Sequence, residues 1–175
     1  MKQIFSDKEI KEMLKRICVL CDTREQRNEH IVEYFQKRNI PYQSKKINTG
    51  DYSFSVDNMD FSDEVVVEKK KDLDEIAGNF TVGRNRFENE FLRAKAHGIK
   101  IFLLIENSSW QDIKSHNYVS RLSPKALMAS LLAWQARYGI TIIFCRSSES
   151  AEIIYATFYY WLKERLENGG LCYKN

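Results

Sequence analysis

A run of three valines followed by four charged residues constrains the fold of this chain more than any other feature. Val65–Val67 are β-branched and apolar, as is typical of a strand that enters a buried core. The next four residues are one glutamate and three lysines. Side chains two apart on a strand project from the same face. The sequence therefore predicts a strand over residues 64–70 that leaves the core with Glu68 and Lys70 side by side.

Strands and helices alternate along the rest of the chain. Besides 64–70, strands are predicted by apolar and β-branched runs over residues 17–22, 42–47, 52–56, 100–106 and 140–145. Helices are predicted over residues 7–15, 28–38, 84–97, 123–139 and 151–167, with another that begins at Asp72. Such alternation indicates an α/β fold with a central mixed β-sheet flanked by helices.

Length and composition limit the possible classes of protein. The chain has 175 residues, of which 43% are hydrophobic and 29% charged, as expected of one soluble globular domain. The first 16 residues do not resemble a signal peptide, and the longest apolar runs, 101–105 and 126–133, are too short to cross a bilayer. We therefore expect a protein that is not secreted and has no membrane partner, located in the cytoplasm, or in the nucleus of a eukaryote.

The basic residues fit a nucleic-acid partner without proving one. The net charge is only +3, which excludes a polycation. Several basic residues nevertheless cluster locally, at 45–46, 69–71, 84, 86 and 93. Such clusters favour contact with phosphates, although lysine-rich faces are more often simply solvated.

The cysteines do not predict a zinc or redox site. Cys18 and Cys21 form a CxxC pair on a predicted strand, where residues three apart point to opposite faces. No second pair or paired histidine follows at zinc spacing. These two residues, with Cys145 and Cys172, are therefore interpreted as buried thiols. The three histidines, at positions 30, 97 and 116, are interpreted as surface or packing residues.

The acidic residues that could carry chemistry stand at the ends of predicted elements. Asp22 ends the first strand, Asp51 lies in a Gly-Asp turn between two strands, and Asp74 follows at a helix start. Together with Glu68 and Lys70, these residues form a sequence pattern. An acid is followed by a spacer of about one strand, and then by a second acid, any residue and a lysine (acid-x-Lys). This order is the sequence form of the PD-(D/E)xK nucleases.

The hydrolysis of a phosphodiester explains why these residue types occur together. A hard cation such as Mg²⁺ or Mn²⁺ takes oxygen ligands and keeps several waters. Asp51 and Glu68 would supply carboxylates, and the main-chain oxygen of Lys69 a third ligand. Lys70 would orient the attacking water or stabilise developing charge. The alternative is a solvated edge strand with alternating charges, which the preceding valines disfavour.

The combined motifs resemble the nuclease domain of the XPF/Mus-type structure-specific endonucleases. The matching segments are Cys21-Asp22-Thr23-Arg24-Glu25, Gly50-Asp51, Glu68-Lys69-Lys70 and Asp74, supported by residues 72–80, Gly83-Arg84 and Phe87. The similarity covers about residues 17–165. Lys69 differs, because the family has arginine there; the change should spare a main-chain ligand but alter a supporting ion pair.

This resemblance implies a restriction-endonuclease-like fold, dependence on Mg²⁺ or Mn²⁺, and DNA as substrate. It implies a single nuclease domain over residues 1–175, with 1–16 as a helical extension and 17–167 as the core. The catalytic residues would be Asp22, Asp51, Glu68, Lys70 and Asp74. Arg24 and Arg84 would contact phosphates. The sequence ends at residue 175, without the tandem helix-hairpin-helix module that members commonly carry, so the preferred DNA structure stays open.

Two further expectations concern partners and alternatives. The C-terminal helix carries apolar and aromatic residues on more than one face, so it is expected to form a homodimer or heterodimer interface rather than only a buried core helix. The alternatives to an active DNA endonuclease are a non-catalytic DNA-binding scaffold of the same fold, and a restriction or RNA-processing nuclease of the wider superfamily.

Overall fold

A computed structural model of the chain describes residues 5–81 and 83–168. The strands are β1 (Ile17–Cys21), β2 (Tyr42–Ser44), β3 (Tyr52–Val56), β4 (Met59–Asp60), β5 (Val65–Lys70), β6 (Lys100–Glu106) and β7 (Thr141–Cys145). The helices are α1 (Asp7–Lys15), α2 (Glu29–Lys37), α3 (Leu73–Thr81), α4 (Arg84–Ala96), α5 (Trp110–Lys114), α6 (Pro124–Tyr138) and α7 (Ser150–Glu167).

The strands form one mixed sheet in the order β2-β1-β3-β5-β6-β7, with β4 paired to β3. The β1–β3 and β3–β5 pairs are antiparallel. The β1–β2, β5–β6 and β6–β7 pairs are parallel. The predicted α/β architecture with a mixed sheet is therefore confirmed.

Helices cover both faces of the sheet, so the core has two layers. On one face, buried side chains of α1, α2 and α7 pack together, among them Ile10, Phe35 and Phe158. On the other face, α3, α4 and α6 contribute residues such as Phe91 and Trp134. Burial of these apolar surfaces supplies the main stabilisation of the fold.

The valines of β5 divide between these two layers. Val65 and Val67 belong to the layer under α7, whereas Val66 belongs to the layer under α4 and α6. Because the side-chain period of a strand is two, Glu68 and Lys70 share the face of Val66. The strand thus delivers both charged side chains to the side that α3 and α4 cover.

The structure differs from the sequence-based elements at three places. β2 ends at Ser44 instead of residue 47. The main-chain nitrogen of Ile47 instead donates a hydrogen bond of 2.8 Å to Oδ2 of Asp22. The short elements β4 and α5 were not predicted, because two and five residues carry little periodicity.

The predicted boundaries of α6 are confirmed. The Ser123 side chain caps its first turn, and Gly139 ends it with a φ of 67°. Gly169 and Gly170, which follow the helix predicted over residues 151–167, lie outside the described residues.

The cysteines of β1 are free thiols. Cys21 is buried, and burial raises its pKa to about 12. A thiol with so high a pKa is a poor metal ligand and nucleophile. Over residues 5–81 and 83–168, no three His, Cys, Asp or Glu side chains are grouped so as to hold a metal ion. Cys172 lies outside these ranges.

None of the helices described is long and apolar enough to span a bilayer.

Candidate active site

The pairing of β3 with β5 brings Asp51, Glu68 and Lys70 together. Tyr52 pairs with Val67 in antiparallel register, so Asp51 precedes β3 opposite Glu68. Oδ2 of Asp51 accepts a hydrogen bond of 2.7 Å from the main-chain nitrogen of Lys69. Nζ of Lys70 donates one of 2.7 Å to Oε1 of Glu68. The three residues of the acid, acid-x-Lys pattern therefore form one cluster.

Gly50 allows this turn to approach β5. Its φ is +77°, in the left-handed region that disfavours residues with a Cβ. A Cβ placed on Gly50 would lie 2.8 Å from Cβ of Val66, closer than packed carbon atoms allow. The main-chain nitrogen of Asp51 can then donate a hydrogen bond of 2.9 Å to the carbonyl of Val67.

Burial is the largest single influence on the pKa values of the three residues of the cluster. It raises the pKa of Asp51 well above 3.8, and the neighbouring charge of Glu68 raises it further. Burial likewise raises the pKa of Glu68. For Lys70, burial lowers the pKa, but the charge of Glu68 and the hydrogen bond to it outweigh burial, so the net shift is upward. When all three are ionised, two carboxylates face one ammonium and one negative charge remains.

The two carboxylates fit a hard divalent cation. Oε1 of Glu68 accepts from Lys70 and Oδ2 of Asp51 accepts from Lys69. In the part of the chain that the structure describes, no donor reaches the other oxygen of either carboxylate. Two such oxygens and a main-chain carbonyl are a donor set that Mg²⁺ or Mn²⁺ accepts, with water completing the shell. A third acidic ligand is not required for such a set, and among the described residues no three acidic side chains group together as ligands.

Asp22 lies beside the cluster, but its carboxylate is occupied by protein donors. Oδ1 accepts from the main-chain nitrogen and Nε of Arg24, at 2.7 and 2.8 Å. Oδ2 accepts from Nη2 of Arg24 at 3.0 Å and from the nitrogen of Ile47 at 2.8 Å. Burial would raise the pKa of Asp22, but these hydrogen bonds outweigh it and the pKa is lowered. Asp22 thus holds Arg24, whose side chain remains 62% exposed.

Asp74 contacts a loop instead of the Asp51–Glu68 pair. Its Oδ1 accepts hydrogen bonds from the main-chain nitrogens of Val119 and Ser120, at 2.9 and 2.7 Å. It lines a separate polar cavity of about 540 Å³, with Arg24, Glu25, Gln26, Arg27, Lys69, Lys71 and Glu75. The structure therefore places Asp74 at the edge of the site, where its hydrogen bonds hold the 119–120 loop in position.

Lys69 forms a buried ion pair with Glu25. Its side chain is 4% exposed, and Nζ lies 3.7 Å from Oε1 of Glu25. Nζ also donates a hydrogen bond of 3.2 Å to the carbonyl of Arg27. The side chain lies on the opposite face of β5 from Glu68 and Lys70, where it contacts the 25–27 segment.

Of the two nearby arginines on α4, Arg86 and not Arg84 faces the cluster. Arg84 lies 3.1 Å from Glu88 in an exposed ion pair along the helix. Arg86 instead lines a cavity of about 260 Å³ with Glu68, Lys70, Asn79, Gly83, Phe87 and Glu90. Arg86 and Glu90 are four residues apart, so both lie on the helix face that carries Phe87, but Arg84 and Glu88 have the same spacing and the sequence alone does not distinguish the two pairs.

A sequence comparison decides the family. The model of the ERCC4 domain matches residues 21–157, which include every residue of the cluster. The chain belongs to the ERCC4 domain family. This is a family of structure-specific DNA endonuclease domains of the XPF type, as the motif resemblance predicted. No curated protein sequence matches the chain.

Solved structures agree with this assignment at the level of fold. XPF from Aeropyrum pernix is similar with a TM-score of 0.62 and 22% identity, over 82% of this chain and 61% of that one. The same protein in a complex with DNA gives a TM-score of 0.63 and 23% identity, over 86% of this chain and 68% of that one. The chain therefore spans less than two thirds of the length of the first of these structures. The structural similarity confirms the predicted nuclease-like fold.

Proposed function

We propose that this chain is an Mg²⁺- or Mn²⁺-dependent DNA endonuclease that acts on branched or otherwise structured DNA. The observation that carries the proposal is the buried cluster of Asp51, Glu68 and Lys70 on one side of the β3–β5 pair. Burying two carboxylates next to each other costs free energy, and only one ammonium compensates them. A cation and a phosphate that bind there would account for this arrangement.

The residues of the cluster would have different roles in the reaction. Asp51 and Glu68, with the main-chain oxygen of Lys69, would hold the cation, which when bound acidifies water and neutralises phosphate charge. Lys70 is protonated at neutral pH because its pKa is raised. It would therefore donate hydrogen bonds to the attacking water or to a phosphate oxygen. Its hydrogen bond to Glu68 keeps it in place.

Two arginines would bind the DNA backbone. Arg24 is fixed by Asp22, and Arg86 lies in the cavity beside Lys70. Arginine suits phosphate because its planar guanidinium donates two parallel hydrogen bonds. Asp22 and Asp74 are proposed as residues that position the site, Asp22 through Arg24 and Asp74 through the 119–120 loop. Since the contacts are with phosphates, DNA affinity should fall steeply with salt concentration.

The competing functions make different forecasts. A non-catalytic scaffold has no need for two buried acids beside an ammonium, so the intact cluster favours an enzyme. An RNA nuclease could use the same cluster. Incubating the chain with duplex, single-stranded, flap and fork DNA, and with RNA, in Mg²⁺, Mn²⁺ or EDTA separates these functions. Metal-dependent cleavage of one or more DNA substrates is the expected result, and no cleavage, or cleavage of RNA alone, would contradict the proposal.

We also propose that the chain pairs with a second subunit, identical or related, through α7. One face of this helix packs in the core, where Ile154, Phe158 and Leu162 are fully buried. Tyr160 is 65% exposed, in an apolar groove with Phe102, Ile153, Ala156 and Trp161. Aromatic side chains in such grooves are enriched at interfaces.

Light scattering coupled to size exclusion tests this pairing. Wild type should give twice the chain mass, and Tyr160→Glu should shift it to the monomer. Leu132→Glu is the control, because Leu132 is 48% exposed on the opposite side of the sheet. A wild-type monomer at high concentration would argue against a homodimer.

A further inference from the structure

Glu90 lies on α4, outside the acid-x-Lys motif, and faces the same cavity as Glu68 and Lys70. Its Oε1 accepts a hydrogen bond of 3.4 Å from the main-chain nitrogen of Gly50, the residue before Asp51. The charge of Glu90 also helps to raise the pKa of Glu68. A helix and two strands thus bring a third acid to the end of the sheet where the first two meet.

The cations near Glu90 are hydrogen-bonded to other acids, although Arg24 is close enough for its charge to attract that of Glu90. Lys70 is hydrogen-bonded to Glu68, and Arg24 is held by Asp22. Arg86 lines the same cavity, but within the described part of the chain it forms no ion pair with Glu90. Like charges brought together in a partly buried site weaken the fold unless a ligand compensates them. A divalent cation bound in this cavity would be attracted to Glu90 as well as to Glu68.

An unused acceptor points into the same space. Glu68 is 7% exposed, and only its Oε1 accepts a hydrogen bond from the residues described. Its second oxygen has no donor among these residues and is not itself fully buried, so it is accessible from the cavity. A ligand that donates to or coordinates oxygen would satisfy it.

We propose that Glu90 is a third carboxylate of the divalent-cation site and acts through water bound to the cation. This inference rests on the proposed function, because it assigns a residue to the same site. Direct ligation is not the role proposed, since no three acidic side chains converge at ligand distance among the residues described. Mg²⁺ and Mn²⁺ keep several waters, and acceptors for those waters orient them and strengthen binding.

The geometry suits such a role. The hydrogen bond from Gly50 uses Oε1 of Glu90 and leaves the second oxygen for water. That bond also ties α4 to the turn that presents Asp51. Glu90 is only partly buried and lines the cavity. It is a positioning residue for the cation's water shell.

A calorimetric titration of the DNA-free full chain with Mn²⁺ tests this role without relying on cleavage. Glu90→Gln keeps the shape and removes the charge. It should weaken Mn²⁺ binding about tenfold, the loss typical of an outer-shell partner. Glu33→Gln is the matched control, since Glu33 is 63% exposed on α2, and it should bind Mn²⁺ like wild type. The loss of Mn²⁺ affinity in Glu90→Gln should be the same at about 50 mM and at about 500 mM KCl, because salt screens a local contact little.

Two outcomes would overturn the inference. One is a Glu90→Gln affinity within twofold of wild type. The other is a loss that disappears in high salt, which would mean that Glu90 acts only as a distant charge. Asp51→Asn separates these results from a failure of the proposed function. If wild type does not bind Mn²⁺, or Asp51→Asn binds it equally well, the cation site itself is misassigned.

Discussion

The main-chain nitrogen of Lys69 donates a hydrogen bond of 2.7 Å to the carboxylate of Asp51. This bond joins the residue between Glu68 and Lys70 to the acid of the neighbouring turn. The two halves of the motif lie 17 positions apart in sequence, as the numbers of Asp51 and Glu68 show. The fold holds them together through the β3–β5 pair, so the site is preorganised.

The first prediction concerns catalysis by this cluster. Asp51→Asn, Glu68→Gln and Lys70→Ala should each lower the rate of DNA cleavage about a hundredfold or more, since each removes a group that stabilises the transition state. Single-turnover cleavage of a fork or flap substrate in Mg²⁺ is the measurement. Asp63→Asn is the control, because Asp63 is exposed and outside the site. Full activity in any of the three variants would show that the cluster is not catalytic.

The second prediction concerns Asp22 and Arg24. Asp22→Ala should weaken DNA binding about tenfold, because a guanidinium without its partner loses its fixed orientation and the charge-assisted hydrogen bonds it makes to phosphate, roughly 1.5 kcal/mol. Arg24→Ala should weaken it to a similar degree. The double variant should be little worse than either, as expected of residues that act as a unit.

The readout that separates this role from metal ligation is Mn²⁺ affinity, which Asp22→Ala should leave within about twofold of wild type. A loss of Mn²⁺ binding as large as that of Asp51→Asn would instead make Asp22 a ligand. Fluorescence anisotropy with labelled DNA and calorimetry with Mn²⁺ give the two affinities independently.

The third prediction isolates the close approach at Gly50. Gly50→Ala combines a left-handed φ, which costs a residue with a Cβ roughly 1–2 kcal/mol, with a contact to Val66 that is too short. Gly98→Ala is the matched control, since Gly98 has a similar φ of +72° and nothing within 4 Å of the added Cβ. Urea unfolding should show a larger loss for Gly50→Ala. Equal losses would mean that Val66 moves aside without cost.

The sequence predicted the cluster because its members obey local rules. Strand periodicity alone put Glu68 and Lys70 on one face, and the Gly-Asp turn marked Asp51. Glu90 could not be recognised, because it belongs to a helix whose face toward the sheet is set by packing of Phe87 and Phe91. One of the four hydrogen bonds that occupy Asp22 comes from the main-chain nitrogen of Ile47, which is far away in sequence. Long-range contacts of this kind carry no local signal.

The last prediction follows from the raised pKa of Asp51 and applies to the metal-free protein. A carboxyl whose pKa is higher in the folded state than in the unfolded chain is stabilising when protonated. Its contribution is fully present below about pH 3.9, the unfolded value. It is lost as the pH rises through the higher folded value, because the folded state must then hold a buried charge. Asp22, with a lowered pKa, acts in the opposite direction, since it stabilises the fold once ionised.

Thermal melts of wild type and Asp51→Asn in EDTA, from about pH 4 to pH 8, measure this effect. The variant should melt higher than wild type at neutral pH, by roughly 3 °C for each kcal/mol of relieved repulsion, and the gap should shrink toward pH 4. Mg²⁺ should raise the melting temperature of wild type by mass action and that of the variant much less. An exposed acid would change stability by under about 1 kcal/mol with no link to Mg²⁺. If the two proteins melt alike in EDTA at every pH, Asp51 is not held as a buried charge beside Glu68.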